Sequence, residues 1–284
     1  MDKGLSFKQD AFPAITVWTV AGLVCTLFLW LIGDLISGGA QHLSWEFLTS
    51  PPMDAGREGG INSILASTGL ILLVCMSVAL PIGLGAAMFL AEFTSEAHPF
   101  ARLIRRSLEV LAGVPSIVFG LFGSVVFSHM LGLGFSILSG GLTLSCMVLP
   151  ILIRTTEEGF RSLPPEYRLS AAALGLSKTT TLLQLLLPAA LPALVVGFIL
   201  GLGRAIAETA ALIFTSGYVD RMPESILDSG RALSIHIYDL SMNVPGGDQA
   251  AAATALVLVA CLIVINSLST WASHYWARQR IMVP

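Results

Sequence analysis

Six apolar runs recur along this sequence, and each is about as long as a lipid bilayer is thick. A helix needs roughly 20 apolar residues to cross the hydrocarbon core. Only helices and closed barrels satisfy their backbone hydrogen bonds in lipid, and barrel strands would alternate polar and apolar residues, which these runs do not. The sequence therefore predicts an all-α polytopic membrane protein with six transmembrane helices. The predicted spans are residues 14–36, 61–93, 108–130, 137–156, 189–215 and 250–271.

The low content of charged residues extends this prediction to the whole chain. Only 12% of the 284 residues are charged and 55% are hydrophobic, whereas soluble domains carry roughly 25% charged residues. The first apolar run is too long for the core of a signal peptide and has no small-x-small cleavage site after it, so we expect a retained helix. Residues 1–284 are therefore expected to form a single transmembrane domain.

The distribution of lysine and arginine predicts the orientation in the membrane. With six spans, both termini and the segments 94–107 and 154–186 lie on one side, which holds 11 of the 15 lysines and arginines. The other side holds 3, and Arg204 falls inside a span. Because basic residues favour the cytoplasmic side, we expect cytoplasmic termini, with the loops 37–60 and 217–249 facing outward.

The segment 159–187, between the fourth and fifth spans, is amphipathic. Pro164 and Pro165 favour the start of a helix. Gly175 can supply a break or a positive-φ turn, and Ser177 can cap a second helix. The pattern predicts a cytoplasmic helix–turn–helix along the membrane. From the pattern alone it either docks into a groove of a soluble partner or is a connecting loop on the lipid surface.

The end of this segment resembles the cytoplasmic motif of ABC importer membrane subunits. Nine residues separate Gly175 from the stretch Leu185-Leu186-Leu187-Pro188, which is the spacing of that motif. The motif usually begins with Glu-Ala-Ala, and here Leu169-Ser170-Ala171 stands in its place.

A wider set of motifs, in the same order along the chain, covers residues 59 to about 215. They include Gly59-Gly60-Ile61, Pro81-Ile82-Gly83, Leu90-Ala91-Glu92-Phe93, Gly113-Val114-Pro115-Ser116, Arg154-Thr155-Thr156-Glu157, Leu187-Pro188-Ala189-Ala190 and Gly203-Arg204-Ala205-Ile206-Ala207-Glu208-Thr209-Ala210. Together they resemble phosphate ABC importer permeases of the PstA type. Ala207 and Ala211 stand where that family usually has glycine and proline.

The resemblance implies a type I ABC importer permease core that forms half of a translocation path for inorganic phosphate. It implies four kinds of partner: a second permease of the PstC type, an ATPase dimer of the PstB type, an external phosphate-binding protein of the PstS type, and the lipid of the bacterial inner membrane. ATP would be hydrolysed by the partner ATPase, with no cofactor bound by this chain. The alternatives are another oxyanion (molybdate, sulfate or phosphonate), an ion-gradient-driven carrier or channel, and a signalling or scaffold protein without transport.

The resemblance also implies that the segment 159–187 forms the coupling helices, seated in a groove of the ATPase. The residues expected to make this contact are Glu166, Arg168, Ala172, Gly175, Leu176 and Lys178.

The fifth apolar run contains two charges, Arg204 and Glu208. At about 100° per residue, a continuous helix would place both on the face of Gly197 and Gly201, within roughly 60°. Small residues on one face allow another helix to approach closely. An unpaired charge there costs on the order of 3 kcal/mol. The two ions therefore either pair, with each other or with the partner permease, or line the path.

In the second reading, Arg204 offers a bidentate guanidinium to the oxyanion. Glu208 keeps the site from trapping the anion, because a pathway must also release its substrate. Thr209 adds a hydroxyl.

No motif for catalysis or metal binding is visible. The segment Gly175-Leu176-Ser177-Lys178 lacks the glycine that precedes the lysine of a phosphate-binding loop, so this chain is not expected to hydrolyse ATP. Each cysteine falls in a separate apolar run and the histidines are scattered, which does not predict a metal site. The sequence therefore predicts a non-catalytic subunit, without catalytic residues, metal or nucleic acid.

Overall fold

The computed structural model describes residues 6–95 and 98–280, and these are mostly helical. The long helices are α1 (Ser6–Gly39), α3 (Asn62–Met88), α4 (Pro99–Ala112), α6 (Ile137–Arg161), α9 (Leu187–Ile206) and α12 (Asp248–Arg280). The shorter helices are α2 (Trp45–Thr49), α5 (Ser116–Gly123), α7 (Glu166–Ala173), α8 (Lys178–Thr180), α10 (Ala210–Ile213) and α11 (Leu233–Met242). Wider π-helical turns extend α3 over Phe89–Phe93 and α5 over Ser124–Met130, and Thr181–Leu186 joins α8 to α9.

Five helical segments in the described part of the chain are long and apolar enough to cross a membrane. The described chain holds six spans if the pair of helices Pro99–Ala112 and Ser116–Met130, bent by 103°, is counted as one. The predicted span 108–130 differs from this structure, since its first residues belong to α4. Pro115 has no N–H and disfavours a helical Val114 before it, which accounts for the break between the two helices.

The core of the bundle is α6, packed between α3 and α9. Of the residues in the most apolar stretch of α6, 67% are buried. Glycines allow the helices to approach closely. A Cβ atom added to Gly141 of α6 would lie 2.5 Å from Val74 of α3, and one added to Gly201 of α9 would lie 2.6 Å from Val148 of α6, so neither position has room for a side chain. The outermost helix, α1, contacts α12. No residue in the most apolar stretch of α1 is buried in this chain.

The fifth predicted span, 189–215, is not one helix. It begins earlier, because a continuous helical segment runs from Lys178 to Ile206. Pro188 lies in its first turns and does not separate the coupling segment from the span. It also ends earlier: α9 stops at Ile206, and α10 begins only at Ala210.

The two predicted outward loops contain regular structure. In the loop 37–60, α1 continues to Gly39, and Pro52–Met53 pairs antiparallel with Glu58–Gly59 as a two-stranded hairpin. In the loop 217–249, residues 233–242 form α11. The two loops touch, because Gly56 at the hairpin turn lies directly against the ring of His236 on α11.

Replacing Gly120 with alanine is expected to reduce the free energy of unfolding by about 1–3 kcal/mol, the typical cost of overpacking. A Cβ at Gly120 of α5 would lie 2.8 Å from the Ala211 Cα and 3.1 Å from the Ala210 carbonyl oxygen, and the backbone cannot move aside as a side chain would. Thermal unfolding of the purified protein measures the effect. Gly85→Ala is the control, since no atom lies within 4 Å of its Cβ position.

Candidate functional site

The interruption between α9 and α10 holds the three residues predicted to line a path. Arg204 lies in the last turn of α9, and Ala207 ends that helix. Arg204 is exposed, and within the described residues its guanidinium forms no ion pair and no hydrogen bond. Thr209 is half-buried and directly precedes α10. The Arg204 side chain is therefore not used by the fold of this chain.

Glu208 lies beyond the end of α9, so it does not share a helix face with Arg204 as predicted. Its carboxylate accepts a hydrogen bond of 3.2 Å from the Ala211 N–H, at the start of α10. Its main-chain carbonyl accepts one of 2.5 Å from the Ser234 hydroxyl on α11. The direct Arg204–Glu208 ion pair is not formed. Gly197 and Gly201 do pack against α6 as predicted.

A buried charge network organises the loop 217–249, whose Ser234 contacts Glu208. Arg231 is 8% exposed, and it donates to the Tyr218 carbonyl at 2.8 Å and pairs with Asp239 at 3.2 Å and Asp220 at 3.9 Å. The fully buried His236 lies 3.4 Å from the same guanidinium. Burial, with a further contribution from Arg231, lowers the pKa of His236 to about 4. The ring is therefore neutral at physiological pH, and the network fixes α11 to the loop before it.

The predicted turn and helix cap of the segment 159–187 are present, but its second helix does not end before the span and continues into α9. Helix α7 is followed by Gly175 with φ +68°, the positive value that was predicted. The Ser177 hydroxyl then accepts a hydrogen bond of 3.1 Å from the Thr180 N–H and caps α8. Two apolar side chains at α7 are exposed, Leu169 by 68% and Leu174, directly after the helix, by 77%.

The six predicted coupling residues divide into two groups. Glu166 and Gly175 are exposed and do not line the groove described next. The other four line a groove of about 310 Å³ between α7, α8 and the end of α3: Arg168, Ala172, Leu176 and Lys178. The Arg168 guanidinium points into this groove and holds the Glu92 carboxylate with bonds of 2.5 and 3.1 Å. Arg168 therefore fixes α7 to the end of α3.

A second ion cluster in this region was not predicted from the sequence. The Glu157 carboxylate on α6 is buried and accepts hydrogen bonds from Arg105 of α4 at 2.8 Å and from Arg161 at 2.9 Å. Both guanidiniums also donate to the Leu90 carbonyl at the end of α3. The cluster as a whole thus ties α3, α4 and α6 together beside the coupling segment. The available signals were charges at the ends of two apolar runs and the four-residue spacing of Glu157 and Arg161.

Replacing Gly175 with alanine is expected to destabilise the turn by about 1–2 kcal/mol, because a side chain disfavours this positive φ. No atom lies within 4 Å of the Cβ position, so the effect is confined to the backbone. We expect weaker co-purification of the ATPase. Gly132→Ala is a matched control with φ +70° and the same open space, at the other end of the bundle. Equal loss of ATPase in both variants would contradict the prediction.

Residues 79–280 match the family model described as "Binding-protein-dependent transport system inner membrane component". The chain belongs to this family. It is 31% identical over 266 residues to the "Probable ABC transporter permease protein YqgI" of Bacillus subtilis, with 88% of this chain and 90% of that protein covered. It is 28% identical over 283 residues to the "Phosphate transport system permease protein PstA 2" of Mycobacterium bovis, with 96% and 92% covered.

Solved structures of ABC importers have the same fold. The bacterial alginate ABC transporter in complex with its pentasaccharide-bound periplasmic protein aligns with a TM-score of 0.64 at 16% identity, over 96% of this chain and 99% of that one. The inward-facing MetNI methionine ABC transporter aligns with a TM-score of 0.58 at 14% identity, over 76% and 95%. The predicted type I importer permease fold is confirmed.

Membership of the family defines the role of the chain. It is a multi-pass inner-membrane permease subunit of an ABC importer and is not itself catalytic. ATP is hydrolysed by the partner ATPase. The assembled transporter also contains a partner permease and a binding protein.

Proposed function

We propose that this permease imports inorganic phosphate, with both termini in the cytoplasm, and that it assembles with partners of the PstC, PstB and PstS types. The observation that carries the proposal is the position of Arg204. It is an exposed cation at an interrupted membrane helix, and no acid of the described chain neutralises it. The PstA-type motifs around it and the PstA relatives support phosphate as the cargo.

The interruption provides chemistry suited to an oxyanion. A guanidinium offers parallel N–H donors that match two oxygens of a phosphate ion. Thr209 adds a hydroxyl at the start of α10. The Glu208 carboxylate is held by the Ala211 N–H. Its negative charge weakens the binding of the anion, so that the anion is not trapped at the site. The site can therefore bind phosphate without retaining it, as conduction requires.

The coupling segment transmits the state of the ATPase in this proposal. The outward apolar side chains Leu169 and Leu174 suit a groove on a soluble partner. The groove below them, closed by Arg168 and Glu92, holds the segment on the membrane domain. ATP-driven closure of the ATPase dimer would then move α7 and α8 together with the helix that continues from them.

Uptake of labelled phosphate tests the cargo. We expect uptake by the assembled transporter in vesicles to need ATP and the binding protein, and to be reduced by unlabelled phosphate but not by molybdate, sulfate or phosphonate in equal excess. Stronger competition by one of those three anions would assign it as the cargo instead. Uptake by this chain alone, without nucleotide, would indicate an ion-gradient-driven carrier and would overturn the proposal.

A further inference from the structure

Helix α4 has one exposed apolar side and one exposed charged side. At about 100° per residue, four exposed apolar side chains fall within an arc of about 100° on one side of the helix. They are Phe100, Leu103, Val110 and Leu111, which are 54%, 62%, 70% and 41% exposed. The opposite side carries Arg102, Arg106 and Glu109. A helix with one apolar side and one basic side lies in the plane of a membrane surface, with its apolar side among the acyl chains.

An apolar groove opens where α4 turns into α5. It has a volume of about 450 Å³ and lies between these two helices and the middle of α6. Its lining includes Leu111, Val118, Phe122, Cys146 and Leu149, and every side chain that lines it is apolar or a cysteine. Because α4 lies at about a right angle to α5, with a bend of 103°, an α4 that lies in the membrane surface would place the groove just inside it.

A charged pocket adjoins the groove. It has a volume of about 340 Å³, and the two share the side chain of Leu108. Four arginines and three glutamates line the pocket, a formal excess of one positive charge. At its exposed edge Arg154 makes a single bond of 3.2 Å to Glu109, with both side chains more than half exposed. Such a pair is weak in water, so its guanidinium can exchange this partner for another anion.

We propose that the bend between α4 and α5 is a binding site for one anionic phospholipid of the cytoplasmic leaflet. The acyl chain occupies the apolar groove, and the phosphate of the headgroup contacts Arg154 in the charged pocket. Two observations specify this occupant over a protein partner. The apolar groove and the charged pocket lie side by side, as the acyl chain and the headgroup of a lipid do. Helix α4 also places both at the depth of the membrane interface. Basic pockets at this depth suit anionic headgroups.

Native mass spectrometry of the assembled transporter, purified in mild detergent, tests the site. After incubation with phosphatidylglycerol or phosphatidylcholine in mixed micelles, we expect retention of one phosphatidylglycerol in clear preference. Arg154→Gln should lower this retention about fivefold, the effect of one arginine near a membrane surface. Arg221→Gln is the matched control, since it removes the same charge from an exposed position in the outward loop.

A second variant tests the groove independently of charge. Val118→Trp fills the groove and should lower retention of phosphatidylglycerol at least about tenfold by excluding several methylene groups. Val125→Trp is its control, because Val125 is 55% exposed on the helical extension of α5, outside the groove. The yield of assembled complex reports folding for each variant.

Three results would overturn the proposal. One is equal retention of phosphatidylcholine by the wild-type transporter. Another is unchanged retention of phosphatidylglycerol by a well-assembled Val118→Trp complex. The third is retention by the isolated chain but not by the assembled transporter, because the partner permease would then cover the groove.

Discussion

Arg204→Gln is expected to reduce phosphate uptake by about 100-fold in vesicles that contain normal amounts of assembled transporter. Each hydrogen bond to a charged group contributes about 1.5–3 kcal/mol, and glutamine loses both the charge and the paired N–H donors. The fold should be unaffected, because Arg204 is exposed and has no partner within the described residues. Labelled uptake, divided by the amount of assembled complex, gives the measurement.

Two further variants locate the cause of that loss. Arg204→Lys keeps the charge but lacks the planar fork, so we expect uptake between that of wild type and glutamine. Arg221→Gln removes the same charge from the outward loop and should transport normally. Normal uptake by an assembled Arg204→Gln transporter would exclude the proposed role of the guanidinium in the path.

Glu157→Leu is expected to reduce the free energy of unfolding by about 3–5 kcal/mol. This is the cost of removing one partner of a buried ion pair and leaving the other charge without it. Removal of this carboxylate leaves the guanidiniums of Arg105 and Arg161 facing each other without the acid that both contact. Thermal unfolding of the purified protein measures the loss.

Glu109→Gln is the matched control, because it breaks a pair with Arg154 in which both side chains are more than half exposed. Pairs of that kind contribute about 1 kcal/mol or less. A similar loss of stability in both variants would show that the Glu157 cluster has no special role. A loss only in Glu157→Leu, together with weaker co-purification of the ATPase, would connect the cluster to the coupling segment.

The features that the sequence predicted well are those with local causes. Apolar length alone identified the membrane helices, since lipid penalises every polar group in them. The cap at Ser177 and the turn at Gly175 involve residues a few positions apart, and both are present. The bend before α5 also had a local signal in Gly113-Val114-Pro115, although the apolar run continues across it.

The interruption after α9 could not be predicted in the same way. Alanine stands at positions 207 and 211, and the apolar run continues through them. The break is held instead by contacts from Glu208 to Ala211 and from Ser234 on α11, which is 26 residues away. The Glu157 cluster is similar, because its arginines come from different helices.

The continuous helical segment Lys178–Ile206 has a geometric consequence. Its 29 residues form a rod about 43 Å long. A tilt of about 5° at one end moves the other end by about 4 Å, which exceeds the length of a hydrogen bond. A continuous helix also fixes the direction in which the residues at one end point relative to those at the other end. One inserted residue would turn Arg204 by about 100° relative to α8, so the proposed coupling depends on the length of this helix as well as on its sequence.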